Sequence, residues 1–427
     1  MSRALENIEI CEHESRDLTE QQLTPADVTF LRKWEEKTKR AAPIRYRESR
    51  KGWLVTARAR AGILALERTR LILRPKAGFG VRPDRLLDWL SYAVGVPIRH
   101  PLTERDWHTS ELGYAGIVAA GLVEECRLLL RGGLRRGYVP RAVVESRIHG
   151  RLDVMAQVTR RYGQVDRIHS RSFVRDPDIW ENQVCASALR YVARSTPDKR
   201  LGRDAADMLW HFPRAAPMAE AARRLTVARY DPLNAHYQPA HTWARLLLNG
   251  GGVEQLLTDQ GLPNGSIVIN MDVLWEKAVR QLSADAALAL GGHRMHALPP
   301  IQVNYDVTTH PPFRPDVLVT LPSTRAGTAI PIDAKYKKLA HIGLGSADVH
   351  QLLTYIAGHC DPDKAHAVVV YPAPDGRIRR TIEIKGPFGV LGTIELVGVD
   401  TREPPGEAAI EQLANALRRV NGGATGP

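Results

Sequence analysis

Cysteine is scarce in this 427-residue chain: there are four, at positions 11, 126, 185 and 360, and no Cys-x-x-Cys pair. That spacing argues against a disulfide framework and a structural zinc site, and for reduced intracellular thiols. Aromatic residues make up only 6% of the chain. No basic stretch is interleaved with them, so the sequence offers no platform for stacking single-stranded bases. No apolar run approaches the ~18 residues of a membrane-spanning helix. The first residues, Met1 to Asn7, contain no apolar leader core, so no secretory signal and no membrane association are expected, and the cytoplasm is the expected compartment. No stretch reads Gly-x-x-x-x-Gly-Lys-Ser/Thr, Gly78-Phe79-Gly80 is too short for a dinucleotide loop, and Gly250-Gly251-Gly252 reads as a hinge or loop. Any nucleotide hydrolysis must come from a partner. Of the histidines near the C-terminal half, His359-Cys360 with His366 fits no standard zinc spacing, so these residues read as structural or solvated.

What is present suits a multidomain globular protein. Hydrophobic residues reach 44% and charged residues 25%, and the length implies two or three domains. A net charge of +12 points to a polyanionic partner, nucleic acid first. Much of that charge lies in scattered pairs such as Arg135-Arg136 and Arg379-Arg380, each of which equally fits a solvated face.

Thr24-Pro25 predicts a helix start, an N-cap followed by proline at the first helical position. Strand-like runs follow at residues 52–57, 62–66 and 71–73, and the pattern turns helical from Pro83 to about Val96, so residues 1–100 read as a β-rich module. Residues 101–262 read as mostly helical, with helices from about Leu112 to Arg131, Trp180 to Val192, Asp204 to Phe212, Met218 to Leu225 and Pro239 to Leu248. A strand hairpin interrupts them, from Val143 to Ile148 and Leu152 to Val158. Its Arg147 and Arg151 fit either a phosphate backbone or a plain surface. Residues 263–427 read as an α/β domain with a mixed sheet. Met271 to Leu282 is its first helix, strands lie at residues 365–371, 381–384 and 392–399, and Glu407 to Val420 closes it.

The chemistry concentrates in this last region. Arg314-Pro315-Asp316-Val317-Leu318-Val319 is an apolar run opened by an acid, and Ile330-Pro331-Ile332-Asp333-Ala334-Lys335-Tyr336-Lys337 is a second run ending in an acid and a lysine. Ser323, Thr324, Arg325 and Gly327 between them suit a hairpin loop. Pairing about Arg325 brings Asp316 almost opposite Asp333, at the end away from the turn. Asp333 and Lys335 then share a strand face. Two carboxylates there suit Mg²⁺ or Mn²⁺, which take hard oxygen ligands and keep several waters. Such an ion can activate water against a phosphodiester. Pro-Asp, a spacer and Asp-x-Lys form the PD-(D/E)xK signature of metal-dependent nucleases, although the bare motif equally fits a surface hairpin. Downstream, Asp348, Gln351 and Tyr355 fall on one helical face, a Gln-x-x-x-Tyr pair after the Asp-x-Lys strand. Upstream, Glu276 offers a further acid.

With these residues the chain resembles the McrC family, the nuclease subunits of McrBC-type, modification-dependent (type IV) restriction systems. The likeness rests on Trp275-Glu276, Pro315-Asp316, Ile332 to Lys337, and Asp348 with Gln351 and Tyr355. It extends less specifically to Arg147 through Asp153, Glu181 to Val184, and residues 62–76. The resemblance implies a restriction-endonuclease-like core and Mg²⁺-dependent cleavage of DNA, modified DNA in particular, in anti-phage defence. Asp316 and Asp333 would hold the metal with the Ala334 carbonyl, and Lys335 would orient the water. Glu276 would assist, and Gln351 and Tyr355 would position the strand backbone or the lysine. It also implies a hexameric McrB-like AAA+ GTPase partner, onto which the β-rich module docks and whose hydrolysis it stimulates. Two alternatives stay open: a stand-alone RecB-like repair nuclease, and a non-enzymatic activator of a partner NTPase.

Overall fold

A computed structural model describes residues 6–38, 42–75, 88–90, 92–93, 109–164, 166–196, 198–248, 267–297, 299–302, 312–337, 339, 343–373, 376 and 378–422. The chain opens with β1 (Glu6–Cys11), whose alternation turns Ile8 and Ile10 inward, and β2 (Ser15–Leu18). Helix α1 (Pro25–Thr38) begins at the expected cap. Asp27 N–H donates to Thr24 Oγ1 at 3.2 Å and Thr24 N–H to Asp27 Oδ2 at 3.0 Å, a reciprocal capping box. Four strands follow: β3 (Ile44–Ser49), β4 (Gly52–Ala57), β5 (Arg60–Ala65) and β6 (Thr69–Arg74). The helix expected near residues 83–96 lies mostly outside the described residues, of which 88–90 and 92–93 are helical.

Next come α2 (Thr109–Gly132), closed by Gly133 at φ +83°, then β7 (Gly137–Glu145), β8 (Arg151–Leu152), α3 (Val154–Arg160) and β9 (Ile168–Asp176). Helices α4 (Trp180–Ser195), α5 (Lys199–Leu209), α6 (Met218–Thr226) and α7 (Gln238–Leu247) follow. The C-terminal part holds β10 (Ile267–Asn270), α8 (Met271–Ala289), β11 (His293–Arg294), β12 (Val317–Thr320), β13 (Ile330–Ala334) and α9 (Ser346–His359). It ends with β14 (His366–Pro372), β15 (Ile378–Gly386), β16 (Gly389–Val399) and α10 (Glu407–Gly422).

These elements form two compact units, residues 1–114 with 255–427, and residues 115–254. In the first, a sheet of order β1-β6-β5-β10 and a sheet of order β2-β4-β3 share one apolar core with α1, built on Ile10, Leu31, Trp34, Val55, Leu71 and Val268. Strand β10 belongs to this N-terminal sheet although it lies two hundred residues downstream, as it pairs antiparallel with β5. It runs straight into α8, whose N-cap Asn270 accepts from Val273 N–H. A six-stranded mixed sheet, β11-β12-β13-β14-β16-β15, completes the unit. Its β13, β14 and β16 are parallel, and read as near-continuous apolar runs because both faces are covered. Helix α9 packs on the side chains of Val369, Tyr371, Ile394 and Leu396. Helices α8 and α10 pack together and on the same sheet.

The second unit departs from expectation in its sheet. Of residues 152–158, expected as a strand, only Leu152 is one, at the end of β8; residues 154–158 belong to α3, because Asp153 caps a helix there by accepting from Ala156 N–H at 3.1 Å. The strand expected from Val143 to Ile148 lies earlier, over Gly137–Glu145, and its long partner is the unexpected β9, in the order β7-β9-β8. Its sequence, IHSRSFVRD, lacks the alternation that marks a half-buried strand. Gly150, at φ +88°, is required by this packing, since a Cβ there would lie 2.4 Å from the Arg171 carbonyl oxygen.

The helical part of this unit centres on α4 and a buried polar group. Asn182, fully buried, donates from Nδ2 to the carbonyls of Arg135 (2.9 Å) and Pro177 (2.7 Å) and accepts from Tyr237 Oη at 2.6 Å. Leucine at this position would strand all three partners in the interior. We therefore expect Asn182→Leu to cost on the order of 3 kcal/mol, measured as a lowered midpoint in chemical denaturation.

Candidate active site

The acidic centre is assembled where β12 and β13 end. Their register pairs Val317 with Ile332 and Leu318 with Pro331, which sets Asp316, just before β12, across from Asp333. The turn falls near Arg325, as the spacing predicts. Asp316 Oδ2 accepts from Ala334 N–H at 2.7 Å, so the first acid is fastened to the strand that carries the second. Ala334 thereby commits its amide and ends β13. Lys335 continues the line, its N–H donating to the Val370 carbonyl at 3.0 Å. The same carbonyl receives Trp275 Nε1 at 3.1 Å, which ties α8 to this strand end.

Lys335 Nζ stands among three groups. It lies 2.9 Å from Asp333 Oδ2 and 3.5 Å from Asp348 Oδ1, and donates to Gln351 Oε1 at 2.9 Å. Gln351 Nε2 donates to Tyr355 Oη at 2.7 Å, and Tyr355 Oη to the Arg314 carbonyl at 2.8 Å. Gln351 and Tyr355, one turn apart on α9, thus form a relay from the lysine back to the approach to β12. Asp348, noted in the sequence only as sharing that helix face, pairs with Lys335 and also with Lys337, at 3.1 Å. Lys337 and the Arg314 and Val370 carbonyls were not singled out by sequence reasoning. A backbone carbonyl carries no residue-type signal, and Lys337 reads as an ordinary solvated charge.

Electrostatics sets this cluster apart. Burial raises the Asp316 pKa to about 7, with the Asp333 charge adding to it and the Ala334 amide opposing. Burial likewise raises Asp333, although Lys335 pulls it down. Burial works to lower Lys335, but Asp333, Asp348 and Asp316 outweigh it and raise the ammonium above its ordinary value. Asp333 Oδ2 is buried with the Lys335 ammonium 2.9 Å away, and Lys335 shares that ammonium with Asp348. Two buried carboxylates beside a single shared ammonium are costly unless a further cation compensates them, and this excess of buried negative charge is the observation that suits the centre to a divalent ion. Among the described residues no three His, Cys, Asp or Glu side chains gather closely enough to hold an ion. Two carboxylates, a carbonyl and water are a donor set that Mg²⁺ accepts.

Glu276 is less engaged. It sits on α8, pairs with Arg280 at 2.6 Å and is partly exposed. Its charge contributes to the raised Asp316 pKa, so it faces the centre electrostatically without bonding to it. In the second unit, the arginines expected on a hairpin are exposed, Arg147 on the loop after β7 and Arg151 on β8.

What this geometry defines is a class: a two-unit α/β chain with a buried acid–lysine centre at the carboxyl end of a sheet strand. The family model for McrBC 5-methylcytosine restriction system components matches residues 55–372. The chain belongs to that family. Its fold is similar to that of a chain in the refined half-complex from the tetradecameric assembly of Thermococcus gammatolerans McrB AAA+ hexamers with bound McrC. The two are 15% identical, with a TM-score of 0.67 over 97% of this chain and 100% of that one. The cryo-EM structure of the Thermococcus gammatolerans McrBC complex gives a TM-score of 0.47 at 15% identity, covering 65% of this chain and 86% of that one. No curated protein matches the chain. No helix among the described residues is long and apolar enough to cross a membrane.

The raised Asp316 pKa has a signed consequence for stability. An unfolded Asp titrates near 4, so between about pH 4 and 7 the folded chain holds a proton that the unfolded chain has released. Stability then falls as pH rises through that window. In metal-free buffer at pH 8, Asp316→Asn should melt a few degrees higher than wild type. Mg²⁺ is expected to raise the melting temperature of wild type and not that of this variant, both read by differential scanning calorimetry.

Proposed function

We propose that this chain is a McrC-type nuclease subunit of PD-(D/E)xK architecture, cleaving DNA phosphodiester bonds within a restriction complex in the cytoplasm. The observation that carries the reading is the buried Asp316–Asp333–Lys335 centre, two carboxylates beside one ammonium. Asp316 and Asp333, with the Ala334 carbonyl, would hold Mg²⁺ or Mn²⁺. When bound, such an ion polarises the phosphate and lowers the pKa of a water. Lys335, kept charged by its acid neighbours, holds its ammonium where an attacking water or a phosphate oxygen would be oriented. Gln351 and Tyr355 keep that ammonium from swinging out by anchoring it to the Arg314 carbonyl. Glu276 adds negative charge beside the metal site.

Family membership and the fold likeness to the McrB–McrC assembly support an McrB-like AAA+ partner that supplies nucleotide hydrolysis and delivers modified DNA. The N-terminal module was the docking surface expected from sequence, but among described residues 6–75 no large apolar side chain is exposed. The second unit instead exposes Tyr138 on β7, Met155 on α3, Tyr162 on the loop between α3 and β9 and Phe173 on β9, and Arg147, Arg151 and Arg167 of the same unit are exposed as well. A mixed apolar and arginine face of this kind suits a protein partner, and we assign the docking to it.

Plasmid cleavage in Mg²⁺ with partner and nucleotide is the direct test. Asp333→Ala should abolish cutting while keeping or raising the melting temperature, since it removes a buried charge; loss of the fold would sink the catalytic assignment. Cutting by wild type without any NTPase would favour a stand-alone nuclease. No cutting in any condition, with partner hydrolysis still stimulated, would favour an activator. Tyr138→Ser with Phe173→Ser should weaken association with the NTPase at least about tenfold in a co-sedimentation titration, without changing the melting temperature.

A further inference from the structure

A buried hydrogen bond joins the N-terminal module to the residue after Lys335. Glu12 follows β1 and is 4% exposed. Its Oε2 accepts from Tyr336 Oη at 3.0 Å, across 324 residues of sequence. Tyr336, itself 6% exposed, is the residue after Lys335. Strand β13 ends at Ala334, and Lys335 keeps one backbone bond to the neighbouring strand, N–H to the Val370 carbonyl. The Tyr336 phenol ties the following residue to β1.

The turn that presents Glu12 is strained. His13 adopts φ +65°, and among the described residues it is the only non-glycine with a positive φ. Such a backbone persists where its surroundings over-determine it, and strain of this kind concentrates at functional sites. Here four bonds hold the turn: Glu12 N–H to the Arg74 carbonyl (2.9 Å), His13 N–H to Ala57 (2.9 Å), Glu14 N–H to Cys11 (3.0 Å) and Ala57 N–H to Glu14 (3.1 Å). A buried carboxylate is a costly way to secure a tyrosine that apolar packing alone would hold. A directional charged bond on a strained turn suits the fixing of one atom's position.

We propose that Glu12 is a positioning residue for the nuclease centre. By holding the Tyr336 phenol it fixes the backbone that bears Lys335, so the competence of the C-terminal sheet depends on the N-terminal module. The inference rests on the nuclease reading above. The test is single-turnover cleavage by the full chain, with partner and nucleotide as wild type requires, alongside DNA affinity and melting temperature. Glu12→Ala and Tyr336→Phe should each slow cleavage about 10- to 100-fold, the loss typical when a supporting bond to a site residue is cut. DNA affinity should stay at the wild-type value. The double variant should be no slower than the slower single one, because both remove the same bond. Glu12→Gln, which keeps a carbonyl acceptor for the phenol, should recover most of the rate lost in Glu12→Ala. Unimpaired cleavage by Glu12→Ala and Tyr336→Phe beside an active wild type would overturn the inference alone. So would multiplicative losses that track the melting temperature with no rescue by glutamine. A wild type that never cuts would overturn the nuclease reading, and this inference with it.

Discussion

Two carboxylates held out of water beside one ammonium are the constraint around which the first unit is arranged. Asp316 and Asp333 repel each other and lose hydration, and both effects favour their protonated forms. Backbone and side chain must therefore hold them in place. The Ala334 amide fixes Asp316, the Val370 carbonyl fixes the Lys335 backbone, and the α9 relay fixes the Lys335 ammonium. None of these bonds works without the mixed sheet, since each joins residues from different strands or from a strand and a helix. The residual cost is an electrostatic vacancy of one sign, which makes the centre a cation site in the proposed function.

The N-terminal module is built into this arrangement. Its sheet takes β10 from the C-terminal half, and β10 leads directly into α8, whose Trp275 touches the same Val370 carbonyl as Lys335. Its strained turn presents Glu12 to Tyr336. The second unit has the opposite character. Its interior is closed around Asn182 and Tyr237, while its small sheet leaves aromatic and apolar side chains in solvent. A unit closed around the candidate centre and a unit that exposes apolar side chains fit the division of labour in the proposed function.

The core of the site was legible in the sequence because its chemistry is local. A strand alternation of two puts Asp333 and Lys335 on one face, and a helical spacing of three and seven aligns Asp348, Gln351 and Tyr355. A polar loop of suitable length between two apolar runs sets the hairpin register that opposes Asp316 to Asp333. The α1 cap and most of the C-terminal helices and strands were legible for the same reason. Strands β1, β2, β3, β9, β10 and β11 were not. They are short, polar or rich in arginine, and they exist because a partner strand, distant in sequence for all but β3, satisfies their backbone groups. The hairpin expected at residues 152–158 failed where a short-range signal, the Asp153 cap, outweighed a β-branched run.

Sequence by itself determined the donor set: which acids, which lysine, and the helix face that meets them, since these follow from repeat distances within single elements. Tertiary structure decided how those groups are held and charged. Burial at the end of a covered sheet raises Asp316 to about 7 and sets Asp333 against the Lys335 ammonium, and desolvation is a property of the assembled interior. Only the fold could bring Glu12 to Tyr336, because nothing in either local sequence records a bond made across more than three hundred residues of chain.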